Sequence, residues 1–238
     1  MAEPEEVYFL PHQVRSSCGR DPLVINLPGR QLPLFMNLVM ANQAVNDPPN
    51  APTDLFNFPP TSEVVEVIWS PPLIGGSTGY YVYYNTIDDF ATAIQIDVEN
   101  NLAYVVGSVS PLIANQVYFI YITAYNSVGE SISSDFPPIY TLAGTPTDLT
   151  PLTVTDVSIE TEWTLVTTGN GTNGYIPYSN IVNDFATADA FSTLSELSST
   201  YTFGGLTPDT QYFFWVTSLN DDNIESPPSD AATAITLP

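Results

Sequence analysis

Few side chains in this chain are of the types that acid–base or nucleophilic chemistry draws on, and those few crowd into one end. There is one His (His12), one Cys (Cys18), no Lys, and three Arg: Arg15, Arg20 and Arg30. Such chemistry needs one of these groups, or a pair of carboxylates, set beside a partner in a pocket. His12 and Cys18 stand six residues apart, and an incidental pair fits them better than a dyad. The sequence has no glycine-rich phosphate loop and no zinc-ligand spacing. No catalytic residue, no cofactor and no enzymatic activity is expected. Calcium is the one metal worth weighing. Asn220-Asp221-Asp222-Asn223-Ile224-Glu225 is rich in hard oxygen donors, which makes Asp221, Asp222 and Glu225 weak candidate ligands. Asp88-Asp89 is a lesser cluster. Neither has the spacing of an EF-hand, and a solvated acidic loop is the plainer reading of both.

The elements that would have to position these groups follow from an internal repeat. Pro52-Thr53-Asp54-Leu55 returns as Pro146-Thr147-Asp148-Leu149, and Trp69 as Trp163, both 94 residues later. Gly79-Tyr80 and Tyr83 return as Gly174-Tyr175 and Tyr178, and Asp89-Phe90-Ala91-Thr92-Ala93 returns unchanged from Asp184 to Ala188, at a spacing of 95. Leu112 and Tyr118 return as Leu206 and Tyr212, at 94 again. Two copies of one unit are therefore present, with small loop differences. Inside each copy apolar residues alternate with polar ones between turn clusters, the pattern of antiparallel strands with one buried face. Val65, Val67 and Trp69 share a face opposite Glu66 and Ile68. In the second copy Val157, Ile159 and Trp163 are expected inward, with Glu160 and Glu162 outward. Paired prolines, such as Pro71-Pro72 and Pro137-Pro138, punctuate the strands and would guard sheet edges that have no Lys.

At these residues the sequence resembles the fibronectin type III family, over about residues 50–238. A Trp lies on the second strand of each copy, and Leu206-Thr207-Pro208-Asp209-Thr210-Gln211-Tyr212 is similar to the family's tyrosine corner. The first copy has Ala114 where the proline is usual, which predicts a less rigid turn. The resemblance implies an all-β fold of two tandem Ig-like sandwiches, each of seven strands in two sheets. It also implies that Trp69 and Trp163 pack between the sheets and that Tyr118 and Tyr212 bond nearby backbone. Ala143-Gly144-Thr145 is the expected connector, too short for free tumbling.

Charge narrows the function classes. The chain has 26 acids against three cations in 238 residues. Residues 48–238 hold 21 of those acids and no cation, so no salt bridge can form within that stretch. A surface of one sign repels nucleic acid and anionic lipid. No stretch approaches the roughly 20 apolar residues of a membrane span, and the acidic start is unlike a secretory signal. With one Cys, no intramolecular disulfide forms. Tyr80, Tyr81, Tyr83, Tyr84, Tyr121 and Tyr125 are either an exposed strip for sugars or proteins, or divided between core and surface.

Residues 1–47 match neither copy. The segment carries the Arg residues together with Leu23, Ile25, Leu27, Leu34, Phe35 and Leu38, too apolar a set for a disordered tail. It is expected to dock into a partner subunit or to pack on the first sandwich. The domain map is thus an anchoring arm over 1–47 and sandwiches over 48–143 and 144–238. An anchor bearing soluble modules resembles virion-associated proteins of tailed phages: a head decoration, a fibre or a neck/tail attachment protein, made without a signal peptide. That resemblance implies other assembly subunits as partners of the arm. The alternative is a cell-surface or filament-forming adhesin whose modules bind a host protein or glycan.

Overall fold

A period of two is satisfied by extended chain with one buried face, and this rule builds both halves of the protein. A computed structural model describes residues 47–238. The first sandwich holds β1 (Thr53–Asn57), β2 (Val65–Ser70), β3 (Gly79–Asn85), β4 (Ile94–Asp97), β5 (Ala103–Val106), β6 (Val117–Tyr125), β7 (Ser134–Asp135) and β8 (Ile139–Tyr140). The second holds β9 (Thr147–Val154), β10 (Ser158–Thr164), β11 (Gly174–Asn180), β12 (Asp189–Ala190), β13 (Thr200–Gly204), β14 (Gln211–Leu219) and β15 (Ala232–Ile235). One sheet of the first runs β1-β2-β5, and the other β4-β3-β6-β7, with β8 also on β6. The second repeats this as β13-β10-β9 and β12-β11-β14-β15. Pro137-Pro138 separates β7 from β8, so what would be one strand is two, because proline has no N–H for the ladder. All strand pairs are antiparallel.

The repeated Pro-Thr-Asp-Leu has a local cause. Asp54 and Asp148 take left-handed φ values of 51° and 57°, beside irregular register in β1 and β9. Asp tolerates that region through its short polar side chain. The Asp148 carboxylate accepts from the hydroxyls of Thr164 (2.8 Å) and Thr147 (3.0 Å), which hold its carboxyl below the usual range.

The first core joins Val65, Val67, Trp69, Tyr80, Val82, Val106, Tyr118, Ile120 and Ile122 across the two sheets. Glu66 and Ile68 lie on the other face of β2, as alternation predicts. In the second sandwich the inward set is Ile159, Thr161 and Trp163. Val157 does not join it. That side chain is 47% exposed in the turn before β10, where its carbonyl accepts from the Leu206 N–H at 2.9 Å. Turn geometry there overrides the alternation that placed it inside. Phe203 instead centres this core, with ring centroids 4.6 Å from Phe214, 4.8 Å from Tyr201 and 5.1 Å from Phe191. Phe203→Ala is expected to cost about 3–5 kcal/mol through lost burial and the cavity left behind. Urea denaturation of wild type and variant measures it.

Candidate functional site

Each Trp sits where the two sheets meet. Trp69 packs 5.6 Å from Tyr80 and Trp163 5.5 Å from Tyr175, centroid to centroid. Neither indole N–H finds an acceptor among the described residues, so these rings contribute by packing alone. The corner tyrosines do bond backbone. The Ile113 N–H donates to the Tyr118 hydroxyl at 2.9 Å, and the Thr207 N–H to that of Tyr212 at 3.0 Å. These four residues form the frame.

The repeated Asp-Phe-Ala-Thr-Ala is a clamp on the outer face of the larger sheet. Asp89 caps a single 3-10 turn, Phe90–Thr92, accepting from the Ala91 N–H at 3.0 Å. The Thr92 hydroxyl donates back to Asp89 at 2.9 Å, and the Asn85 amide donates to the Asp89 carbonyl and to Thr92, each at 3.0 Å. So held, Phe90 lies 4.6 Å from Tyr83 and 5.4 Å from Tyr121. Asp184, Thr187 and Asn180 repeat the turn, and Phe185 lies 4.9 Å from Tyr178 and 5.9 Å from Trp215. Beside each clamp a carboxylate accepts two hydroxyls. Glu130 takes Tyr83 and Thr123, both at 2.6 Å, and Glu225 takes Tyr178 at 2.6 Å and Thr217 at 2.7 Å. Burial and the carboxylate beside it push the Tyr178 hydroxyl up to about 12 and raise that of Tyr83 further. Tyr121 is pushed up to about 12 by burial and by its hydrogen bond to Asp88.

The six tyrosines therefore divide. Tyr80 is in the core and Tyr84 packs against it. Tyr83 and Tyr121 are buried, each in contact with Phe90. Tyr81 and Tyr125, stacked at 4.5 Å, are half-exposed, as Tyr84 is at the edge of the core.

The oxygen-rich loop of the second sandwich serves the junction between the two. The Asn220 amide donates to the Thr141 carbonyl at 3.1 Å, while its oxygen accepts from the Asp222 and Ile224 N–H groups. Asn115 accepts from the Asp221 N–H at 2.7 Å and donates to the Asp221 carboxylate at 3.1 Å. Glu225 faces Tyr178 and Thr217, and Asp222 is exposed. Asp221 and Glu225 are thus engaged with different partners while the Asp222 side chain is exposed, and no group of three His, Cys, Asp or Glu that could hold a metal occurs among the described residues. From the other side, the Asn170 amide donates to the Asn115 carbonyl (3.1 Å) and to Gln116 (2.9 Å), and its N–H donates to the Ala114 carbonyl at 3.1 Å. A Cβ on Gly169 would collide with that same Ala114 carbonyl. The connector is held too: Ala143 is buried and Gly144 accepts from the Ser218 hydroxyl at 2.6 Å. Ala114, read from sequence as a loosened corner, is where the second sandwich makes its approach. Sequence reasoning missed Asn115, Gln116 and Asn170. The docking residues proposed for residues 1–47, namely Leu23, Ile25, Leu27, Leu34, Phe35, Leu38, Arg15, Arg20 and Arg30, lie outside the described residues.

Comparison with known proteins agrees with this geometry. Residues 144–235 match the family model described as "Fibronectin type III domain". A two-domain fibronectin type III segment of chicken tenascin superposes with a TM-score of 0.51 at 18% identity, covering 80% of this chain and all of that one. The fold is a tandem pair of fibronectin type III sandwiches. In sequence, the chain is 26% identical over 187 residues to tyrosine-protein phosphatase Lar of Drosophila melanogaster. The match covers 75% of this chain and only 9% of that protein. Nothing in these matches points to a virion protein.

Two outcomes follow from the fibronectin type III pair. Replacing Asn115 with Gly, which keeps the left-handed φ of 51°, together with Asn170→Ala removes four junction bonds while sparing both cores. The modules should then reorient independently, so residual dipolar couplings that fit one alignment tensor in wild type should need two; a single tensor in the variant would show that the connector alone sets the geometry. The second outcome concerns alkali. Tyr83, Tyr121 and Tyr178 keep their protons longer in the fold than in the unfolded chain, whose value is 10.0. Their contribution is complete below about pH 10 and is lost as pH rises through about 12. The urea midpoint should fall across that window, and Tyr178→Phe should make the fall shallower.

Proposed function

We propose that this chain is a non-enzymatic binding protein of the adhesion type, whose two fibronectin type III modules present surfaces of fixed relative geometry to a protein partner. The observation that carries this reading is the alignment with Lar, whose 187 residues exceed one sandwich and so take in parts of both. The hydrogen-bonded junction supports it, because a tandem that recognises a partner gains from a set geometry. Fibronectin type III modules generally mediate protein interactions, and the fold is typically non-catalytic. Three segments serve this role: an arm over 1–47, and modules over 48–143 and 144–238. The arm's apolar residues and its three Arg suit attachment to a further subunit. The setting we propose for the chain is a cell surface. No helix among the described residues is long and apolar enough to cross a membrane.

Probing protein and glycan arrays with the labelled full chain, at physiological and at 1 M salt, tests the reading. Protein ligands whose binding outlasts the salt are expected. Binding confined to glycans, or to polycations that salt removes entirely, would sink it.

A further inference from the structure

The two modules are copies of one design, so a face that differs between them reports something other than the needs of the fold. The outer face of the β1-β2-β5 sheet is such a place. Ile68 on β2 pairs with Phe56 on one side and Ala103 on the other, and Glu66 pairs with Val105. The registers of the second module put Glu162 between Thr150 and Thr200, and Glu160 opposite Thr202. The same lattice positions thus read Phe, Ile, Ala and Val in the first module and Thr, Glu, Thr and Thr in the second. Phe58 extends the apolar side; its ring stands edge-on to Phe56 at 5.2 Å. Phe56 is 52% and Phe58 41% exposed. The second module shows that this sandwich forms with hydroxyls and carboxylates here, so the aromatic rings are not required for folding. The second module keeps one exposed apolar side chain here, Leu152 at the Phe58 position, but the contiguous set of Phe56, Ile68, Ala103 and Val105 belongs to the first copy alone and marks a surface made to be covered.

Charge says by what. Every ionised side chain of residues 47–238 is a carboxylate, and Glu66 stands inside this face. A purely apolar cover would strip water from Glu66 and leave it unpaired, which is costly. A second copy of the modules would add another Glu66 and no cation. Resting on the binding reading above, and giving its partner a chemistry, we propose that the outer face of the β1-β2-β5 sheet docks a protein segment that presents an apolar stripe flanked by Lys or Arg. The apolar stripe covers Phe56, Phe58, Ile68 and Val105, and the flanking cation meets Glu66. Such hot spots are centred on buried aromatics and rimmed by charge.

The probe is a set of three amphipathic helical peptides: one with a Leu stripe flanked by Arg, a twin flanked by Glu, and a twin with the Leu changed to Ser and the Arg kept. Binding to the full chain is followed by fluorescence anisotropy in 150 mM salt and mapped by NMR shifts. The Leu/Arg peptide should bind and shift resonances of β1, β2 and β5, while the other two should bind at least about tenfold more weakly. Phe56→Thr and Ile68→Glu, which install the second module's own residues, should each weaken binding about tenfold or more; Ile68→Thr serves if Ile68→Glu unfolds. Equal binding of the Ser/Arg twin, or insensitivity to both substitutions, would reduce the effect to general charge attraction and overturn the proposal. Association of the chain with itself through this face, seen by sedimentation and abolished by Ile68→Glu, would overturn it in favour of a second copy. A patch covered within the same chain would show as no peptide binding and a lower melting temperature in Phe56→Thr. If protein ligands are found on the arrays and none is sensitive to Phe56 or Ile68, the binding function stands and this face is not its site.

Discussion

With no ammonium or guanidinium group beyond Arg30, the two sandwiches must settle their carboxylates by hydrogen bonds from neutral groups. Much of the local architecture answers that constraint. Asp89 and Asp184 are spent on capping a 3-10 turn and on the threonine that closes it. Glu130 and Glu225 each take one phenol and one threonine hydroxyl. Asp148 takes two threonines, Asp88 a phenol, and Asp221 a side-chain amide. Charge-assisted bonds of this kind are shorter and stronger than neutral ones, and they explain why Thr, Tyr and Asn do work that Lys and Arg do elsewhere. They also keep the acids fixed in place, so like charges do not gather freely.

Duplication within one chain separates what the fold demands from what it permits. The left-handed Asp after the Pro-Thr pair, the buried Trp, the corner tyrosine and the phenylalanine clamp occur in both copies. The outer face of β1-β2-β5 and the loops at the junction do not. Those unshared positions are where the chain departs from a generic sandwich.

The fold was legible because its signals are local and repeated. Two Trp at a spacing of 94, strict alternation in β2, and a five-residue motif copied without change require no knowledge of distant contacts. Val157 was misplaced because it continues an alternation that a turn has already ended. The junction was not legible. Asn115 meets Asp221 across 106 residues of sequence, and Asn170 meets Gln116 across 54, with no periodicity to announce either. The oxygen-rich run from Asn220 was legible as chemistry but not as a task, since carboxylates that receive hydroxyls look the same in sequence as carboxylates that await a metal. Ala114 carried the one usable hint: a departure from the family pattern at a corner marked where something else comes close.

The side chains that tie Ala114, Asn115 and Thr141 to the second module act before any partner arrives. A flexible tandem loses rotational freedom when a ligand touches both halves, and that loss subtracts from affinity. Here the entropy has been given up already, during folding, and the cost falls on stability instead. A ligand spanning the junction would meet a preorganised surface, whereas one that required the modules to swing apart would have to break Asn115 away from Asp221 first.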